Sequence, residues 1–204
     1  FQNAVTRRIR QFSVYNALAA ISCARLLGVS LADAAAALET AHGAKGRVEP
    51  VPTDGDYSIF IDYAVTPDAI ENVLTTLRGI APKRLVMLFG AGGDRDRKKR
   101  PIMGKLSADI ADFVIVTSDN PRTEDPMSII EEILPGVRAG KAPYKVICDR
   151  PEAIRWAIDH HEPGDVILLC GKGHEDYQII GHEKIHMDER EIVADYLAER
   201  AKRT

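Results

Sequence analysis

The sequence predicts an α/β fold: a Rossmann-like, mainly parallel sheet flanked by helices, preceded by a helical hairpin. Three observations carry this reading. From about residue 57, short runs of Val, Ile, Leu and Phe alternate with stretches of ~10 residues that read as helices, the signature of βαβ units. Several of those stretches open with Pro directly after a polar residue, which suits an N-cap followed by Pro at the first helical position. The segment before residue 45 is instead rich in Ala and Leu, with no strand-like run.

Residues 1–11 are polar and basic, with Arg7, Arg8 and Arg10, and carry no signal beyond an arm. Residues 13–27 read as a helix ended by Gly28, and Ser30 caps a second helix that runs to Thr40. A loop with Gly43, Gly46 and Pro50 follows and reads as a domain boundary or hinge. The expected domains are therefore 1–45 and 46–204. Candidate strands are 57–64, 84–89, 112–117, 144–148 and 166–170. Candidate helices are 67–78, 101–110, 126–133, 151–160 and 189–202. The segment 179–185 is expected to form a small hairpin at the sheet edge.

The chain has 204 residues, enough for one α/β core with a helical appendage. Its formal net charge of −3 supplies no strong field for nucleic acid or an anionic membrane. No signal peptide is visible, and no apolar run approaches the ~20 residues of a membrane helix. Cys23, Cys148 and Cys170 lie far apart without a CxxC pair, so free thiols in a reducing, cytoplasmic setting are expected. The chain opens at Phe1 rather than Met, which suggests a piece of something longer.

The ends of the strands hold the chemistry. In open α/β sheets, ligands bind outside the carboxyl ends of the strands. After residues 112–117 comes Asp119-Asn120-Pro121-Arg122: a carboxylate, an amide, a stiffening proline and a guanidinium. Arg can clamp a ligand carboxylate while Asp takes an ammonium. The competing reading is a capped turn with a solvated Arg. After 84–89 comes Gly90-Ala91-Gly92-Gly93-Asp94-Arg95-Asp96-Arg97, where glycines permit close approach of backbone and Arg95 brings charge. This is neither a Walker A loop nor a GxGxxG fingerprint in its usual setting. After 166–170 comes Gly171-Lys172-Gly173-His174-Glu175, where Glu175 suits an ammonium. Asp62 stands inside an apolar run and needs a partner if buried.

In order along the chain stand Val14-Tyr15-Asn16-Ala17-Leu18-Ala19-Ala20, Gly46-Arg47, Asp62-Tyr63-Ala64, Gly92-Gly93-Asp94-Arg95-Asp96, Lys99-Arg100-Pro101, Asp119-Asn120-Pro121-Arg122 and residues 171–178. Together they resemble the Mur ligases, most closely the members that add diaminopimelate, over residues 12–200. The resemblance implies the last helices of a central ATP-binding domain followed by a whole C-terminal domain. It implies an ATP-dependent amide ligase of peptidoglycan biosynthesis, with UDP-N-acetylmuramoyl dipeptide, ATP and meso-diaminopimelate as substrates and Mg2+ as cofactor. The whole enzyme is expected to be a cytoplasmic monomer. On this resemblance Arg95, Asp119, Asn120, Pro121, Arg122, Gly171 and Glu175 bind diaminopimelate, and Asn16, Arg47 and Asp62 contact the nucleotide. No metal ligand and no catalytic residue is assigned to the chain itself. No Gly-x-x-x-x-Gly-Lys-Ser/Thr loop is present, so the isolated chain is expected to be inactive. Val65 stands where the family pattern has His, which removes a hydrogen-bonding side chain. A non-catalytic binding module, and a related ligase adding lysine or glutamate, are the alternatives; Arg122 argues against the second.

Overall fold

Four apolar runs form the buried centre of a parallel sheet because each offers both faces for burial, and a fifth, exposed strand pairs at its edge. The computed structural model describes residues 2–41, 43–81 and 83–203, with side chains from residue 14 onward. It divides into two compact units, Phe1–Ala44 and Lys45–Thr204.

In the first unit, α1 (Gln2–Leu26) and α2 (Leu31–Thr40) make the expected helical pair. α1 is longer than expected, because residues 2–12 continue the helix instead of forming an arm. Ala, Arg and Gln in that stretch are good helix formers. α1 closes with Gly28 N–H on Arg25 O and Val29 N–H on Ala24 O, the Schellman pattern. Ser30 caps α2 by accepting from Asp33 N–H at 3.0 Å.

The second unit contains β1 (Glu49–Val51), β2 (Ser58–Asp62), α3 (Pro67–Arg78), β3 (Leu85–Phe89), α4 (Lys99–Ile110), β4 (Phe113–Val116), α5 (Pro126–Arg138), β5 (Tyr144–Val146), α6 (Arg150–Asp159), β6 (Val166–Cys170), β7 (Tyr177–Ile180), β8 (Glu183–His186) and α7 (Glu189–Ala201). The sheet order is β1-β2-β6-β3-β4-β5, and every pairing except β1 with β2 is parallel. β1 lay inside the expected loop; three residues around Pro50 give no periodicity to read, and a proline is tolerated on an edge strand. β7 and β8 form a separate two-stranded sheet, tied to the turn after β4 by a bridge between Arg122 and Ile180.

Alternation along the strands sorts the core. Ile59, Ile61, Val86, Leu88, Ile115, Ile167 and Leu169 pack with Ile154, Ile158 and Val193 of α6 and α7. The intervening residues, among them Phe60, Met87 and Leu168, are equally buried and point to the opposite face, the side left for α3, α4 and α5. α5 runs past the expected stop at residue 133 and through Pro135. There the turn is held by packing: a Cβ on Gly136 would lie 1.8 Å from Pro101 O. α4 starts two residues before Pro101, which is tolerated because first-turn N–H groups have no intrahelical partner.

The register has one consequence for everything that follows. Asp62, Cys170, Phe89 and Val116 stand in one row across four neighbouring strands. The segments that follow them therefore leave the sheet side by side. On the α6 side of this edge lies Arg150, with no exposure to water. It donates to Glu189 Oε1 at 2.8 Å, Ser118 O at 3.1 Å and Cys170 O at 2.8 Å. Burial disfavours its charge, but Glu189 and Asp119 more than offset this and hold its pKa above the ordinary value.

Removing one partner of such a pair leaves a buried charge alone. Arg150→Met is expected to destabilise the second unit by about 3–5 kcal/mol. Urea unfolding followed by the single tryptophan, Trp156 on α6, measures it. Arg150→Met with Glu189→Leu should recover most of the loss; a single-variant loss below about 1 kcal/mol would contradict the pairing argument.

Candidate functional site

The segment after β4 is buried as a whole: Asp119 is 6% exposed and Asn120 3%. Asp119 Oδ1 accepts from Asn120 N–H at 2.6 Å, and its backbone oxygen accepts from Gln178 Nε2 at 2.5 Å. Its Oδ2 is buried without a hydrogen-bond partner. That oxygen faces Gly171: a Cβ there would come within 2.6 Å of it, and Gly171 sits at φ +115°, where other residues are strained. Asn120 donates to Glu175 Oε2 at 2.9 Å and accepts from Lys172 Nζ at 2.8 Å and Ile179 N–H at 2.9 Å. The quartet and the segment after β6 are thus joined directly.

Arg122 adopts φ +52°, uncommon for a residue with a side chain. Hydrogen bonds to the small sheet hold it there: Arg122 N–H donates to Ile179 O at 3.0 Å, and Gly181 N–H donates to Arg122 O at 2.7 Å. Nη1 donates to Gly93 O at 2.8 Å. Among the described residues its Nε and Nη2 meet no acceptor, so one edge of the guanidinium is available. Gly93 approaches Pro121 so closely that a Cβ would lie 1.8 Å from Pro121 O. Arg95 is exposed, and its Nη1 turns back to Asp94 O at 3.1 Å. Like Arg122, it lies beside Gly92, where an added Cβ would meet Arg122 Nη1 at 2.9 Å and Arg95 Cγ at 3.7 Å.

Two further side chains brace this rim. Arg100 is fully buried and holds Glu124 through both oxygens at 2.8 and 2.9 Å, Glu132 at 2.7 Å and Gly92 O at 3.2 Å. Glu124 in turn accepts from Asp94 N–H at 2.6 Å. Asp94 takes the Thr123 hydroxyl at 2.8 Å. The loop after β3 and the turn after β4 are therefore cross-linked on both sides of Arg122.

After β6, Lys172 is fully buried and bonds Glu175 Oε2 at 2.8 Å as well as Asn120. Burial pushes the Glu175 carboxyl up, but hydrogen bonds from Lys172 and Asn120 outweigh it and leave the pKa below its ordinary value. Glu175 Oε1 accepts from the Tyr63 hydroxyl at 3.5 Å, and the Tyr177 hydroxyl also interacts with this carboxylate. Half of the expected ammonium receptor is thus already occupied by an ammonium of the chain itself.

Asp62, at the end of β2, accepts from Val48 N–H at 2.8 Å, which supplies the partner its burial required. Burial raises its pKa, against the pull of Val48 N–H and the Arg47 charge. Arg47 is exposed and lies 5.4 Å from the Tyr63 ring centre. Val65 is half-buried, and its carbonyl accepts from Lys99 Nζ at 2.9 Å. Asn16 is exposed on α1 in the first unit.

The structure thus joins Asp119, Asn120, Pro121, Arg122, Gly171 and Glu175 in one cluster, with Arg95 at its rim and Asp62 and Arg47 beside Tyr63. Sequence reasoning gave no role to Arg100, Arg150, Lys172 and Gln178, each of which has at least one partner 20 or more residues away. Lys172 carried a faint signal, a lysine between two glycines at a strand end. Two concavities lie elsewhere. One, of about 420 Å³, runs between β1 and α7; the other, of about 430 Å³, lies between α4 and α5. Both are lined mainly by apolar surface, whereas the cluster after β4 and β6 is polar.

A family model described as Mur ligase, glutamate ligase domain, matches residues 46–173. A protein of Caldanaerobacter subterraneus subsp. tengcongensis, named UDP-N-acetylmuramoyl-L-alanyl-D-glutamate–2,6-diaminopimelate ligase, is 53% identical over 191 residues, 94% of this chain and 39% of that protein. A protein of the same name from Trichormus variabilis is 50% identical over 196 residues, 95% of this chain and 39% of that protein. A solved structure of a ligase of this name matches with a TM-score of 0.73 at 38% identity, covering 94% of this chain and 39% of that one. A UDP-N-acetylmuramate-alanine ligase from Thermotoga maritima shares the fold, with a TM-score of 0.65 at 24% identity over 95% of this chain and 38% of that one. The chain spans about two fifths of the length of the curated relatives it matches.

The Arg100–Glu124 pair makes a pH prediction. Hydrogen bonds from Arg100, assisted by Asp94 N–H, outweigh burial and hold the Glu124 carboxyl down to about 2 from an ordinary 4.5. A depressed carboxyl contributes stability that is present above the unfolded value and lost as pH falls through the folded one. Stability should therefore decline from about pH 4.5 toward about pH 2 more steeply in the wild type than in Glu124→Gln. Unfolding midpoints measured across that range decide it; parallel profiles would count against the pair.

Proposed function

The chain belongs to the Mur ligase family, and from that premise we propose that it is the amino-acid-binding part of an ATP-dependent amide ligase. The reaction proposed for the whole enzyme joins meso-diaminopimelate to UDP-N-acetylmuramoyl-L-alanyl-D-glutamate in peptidoglycan biosynthesis, in the cytoplasm. In that reading residues 1–44 are the last helices of the central ATP-binding domain and residues 45–204 the C-terminal domain.

One observation carries the reading. In the segment after β4 the chain sets an open guanidinium edge, Arg122, close in sequence to a buried carboxylate oxygen without a partner, Asp119 Oδ2. Arg suits a ligand carboxylate through two parallel hydrogen bonds, and the lone oxygen suits an ammonium. Diaminopimelate carries both groups at the end remote from the reacting amine. Lysine carries only the ammonium there, and would leave Arg122 and its neighbours without a partner. Sites with polar groups built for a partner discriminate strongly against analogues that lack it.

The chain's task is then to position the incoming amine. ATP would convert the D-glutamate side-chain carboxyl into an acyl phosphate with release of ADP. The ligand amine attacks the acyl carbon, the bond to phosphate breaks, and amide and phosphate result. Holding a nucleophile in the right geometry can supply much of such a rate enhancement. Arg47, Asp62 and Asn16 are the side chains proposed to meet the nucleotide. Magnesium would neutralise the phosphates of the nucleotide. Among the described residues no group of three or more His, Cys, Asp or Glu side chains is placed to hold a metal ion.

In the full-length ligase, Arg122→Ala should raise KM for meso-diaminopimelate by about 10- to 100-fold, with KM for ATP within about twofold of wild type. Arg122→Lys should not rescue it, because an ammonium lacks the fork geometry. Steady-state kinetics with each substrate varied in turn measures both, and equal effects on the two KM values would contradict the assignment.

A further inference from the structure

Lys172 has no part in the reading above, yet its placement bears on what the site recognises. Its ammonium has no exposure to water and stands 2.8 Å from Asn120 Oδ1 and 2.8 Å from Glu175 Oε2. A primary amide has a donor end and an acceptor end of nearly the same shape, so its orientation is set by what surrounds it. Around Asn120 the surroundings leave one choice. Lys172 Nζ and Ile179 N–H, both obligatory donors, converge on one end at 2.8 and 2.9 Å. The Glu175 carboxylate, an acceptor, meets the other end at 2.9 Å. Turned over, the amide would set NH2 against two donors and oxygen against a carboxylate.

In the observed orientation both acceptor positions of Oδ1 are filled and one Nδ2–H is used. What Asn120 has left for a ligand is one N–H. Resting on the reading of this cluster as an amino-acid pocket, we infer that Lys172 is a positioning residue that fixes the polarity of Asn120, so that the pocket presents a donor there and favours an amino acid with a carboxylate at that end. The same ammonium occupies one oxygen of Glu175; Oε1 meets neutral hydroxyl donors, with Tyr63 at 3.5 Å and Tyr177 beside the carboxylate. Donors then lie at Asn120 and Arg122, and acceptors at Asp119 Oδ2 and Glu175 Oε1. A zwitterionic end group fits that division in one orientation.

Without Lys172 the amide is held less firmly, by Ile179 N–H and the Glu175 carboxylate and no longer by two donors on its oxygen. Glu175 also loses the ammonium that offsets its burial, so its carboxyl should move up from its lowered position. Both changes blur the pattern of donors and acceptors without touching the nucleotide.

The orientation is testable in the unaltered chain of 204 residues. A through-hydrogen-bond NMR coupling between Ile179 N and Asn120 Cγ is expected, because Ile179 N–H bonds the oxygen of that amide. Its absence, with Ile179 N–H otherwise protected, would overturn the inference. In the full-length ligase, Lys172→Met should raise KM for meso-diaminopimelate at least about tenfold and lower the preference over L-lysine by a similar factor. KM for ATP should stay within about twofold, which a merely structural loss would not respect. Retained KM and retained preference in Lys172→Met, alongside their loss in Arg122→Ala, would sink the role of Lys172 alone. Unchanged values in both variants would sink the pocket reading and the inference with it.

Discussion

A cation shut off from water is tolerated only when it is paired and hydrogen-bonded. The carboxyl edge of this sheet depends on three of them. Arg100, Arg150 and Lys172 are all fully buried. Each meets at least one glutamate: Arg100 meets Glu124 and Glu132, Arg150 meets Glu189, and Lys172 meets Glu175. Each also reaches across to a strand-end segment: Arg100 to Gly92 O, Arg150 to Ser118 O and Cys170 O, Lys172 to Asn120 Oδ1. Displacing any of these segments would strand a charge in a low-dielectric interior. The loops after β3, β4 and β6 are therefore held in one arrangement, although loops are ordinarily the mobile part of a fold.

That rigidity is what the site requires. Recognition by a few polar groups needs each of them fixed by a supporting layer of contacts. Arg122 illustrates this, held in a left-handed backbone conformation by hydrogen bonds to β7 and the turn after it. Its guanidinium is anchored at one corner by Gly93 O, and the opposite edge is left open. Asp119 is anchored by one oxygen and open at the other. The remaining polar demand of the cluster is thus confined to a few atoms of defined polarity, which in the proposed function is the basis of selectivity between closely related amino acids.

The fold was legible because parallel strands buried on both faces read as continuous apolar runs, and because proline and a polar cap mark the helix starts. α3 and β6 begin and end where the pattern placed them. What local pattern missed was decided at a distance. β1 exists because it pairs with β2, and α5 crosses Pro135 because Gly136 packs on α4. The same division holds for the site. Asp119, Asn120, Arg122, Gly171 and Glu175 announce themselves as polar residues where apolar strands end, and the parallel register brings them together. Lys172, Arg100 and Arg150 look like ordinary surface cations in sequence. Their burial follows from partners 3 to 52 residues away, which no window of a single chain reveals.

The central claim is that the braced strand ends form a preorganised receptor for an amino acid with a carboxylate and an ammonium at the same end. An NMR titration of the chain with meso-diaminopimelate, and separately with L-lysine at equal concentration, tests it most directly. The account predicts shifts for meso-diaminopimelate that centre on the amides of Gly93, Asn120, Arg122, Gly171 and Glu175, and none of that size for L-lysine. Equal responses to the two ligands, or shifts that spare those residues, would contradict it.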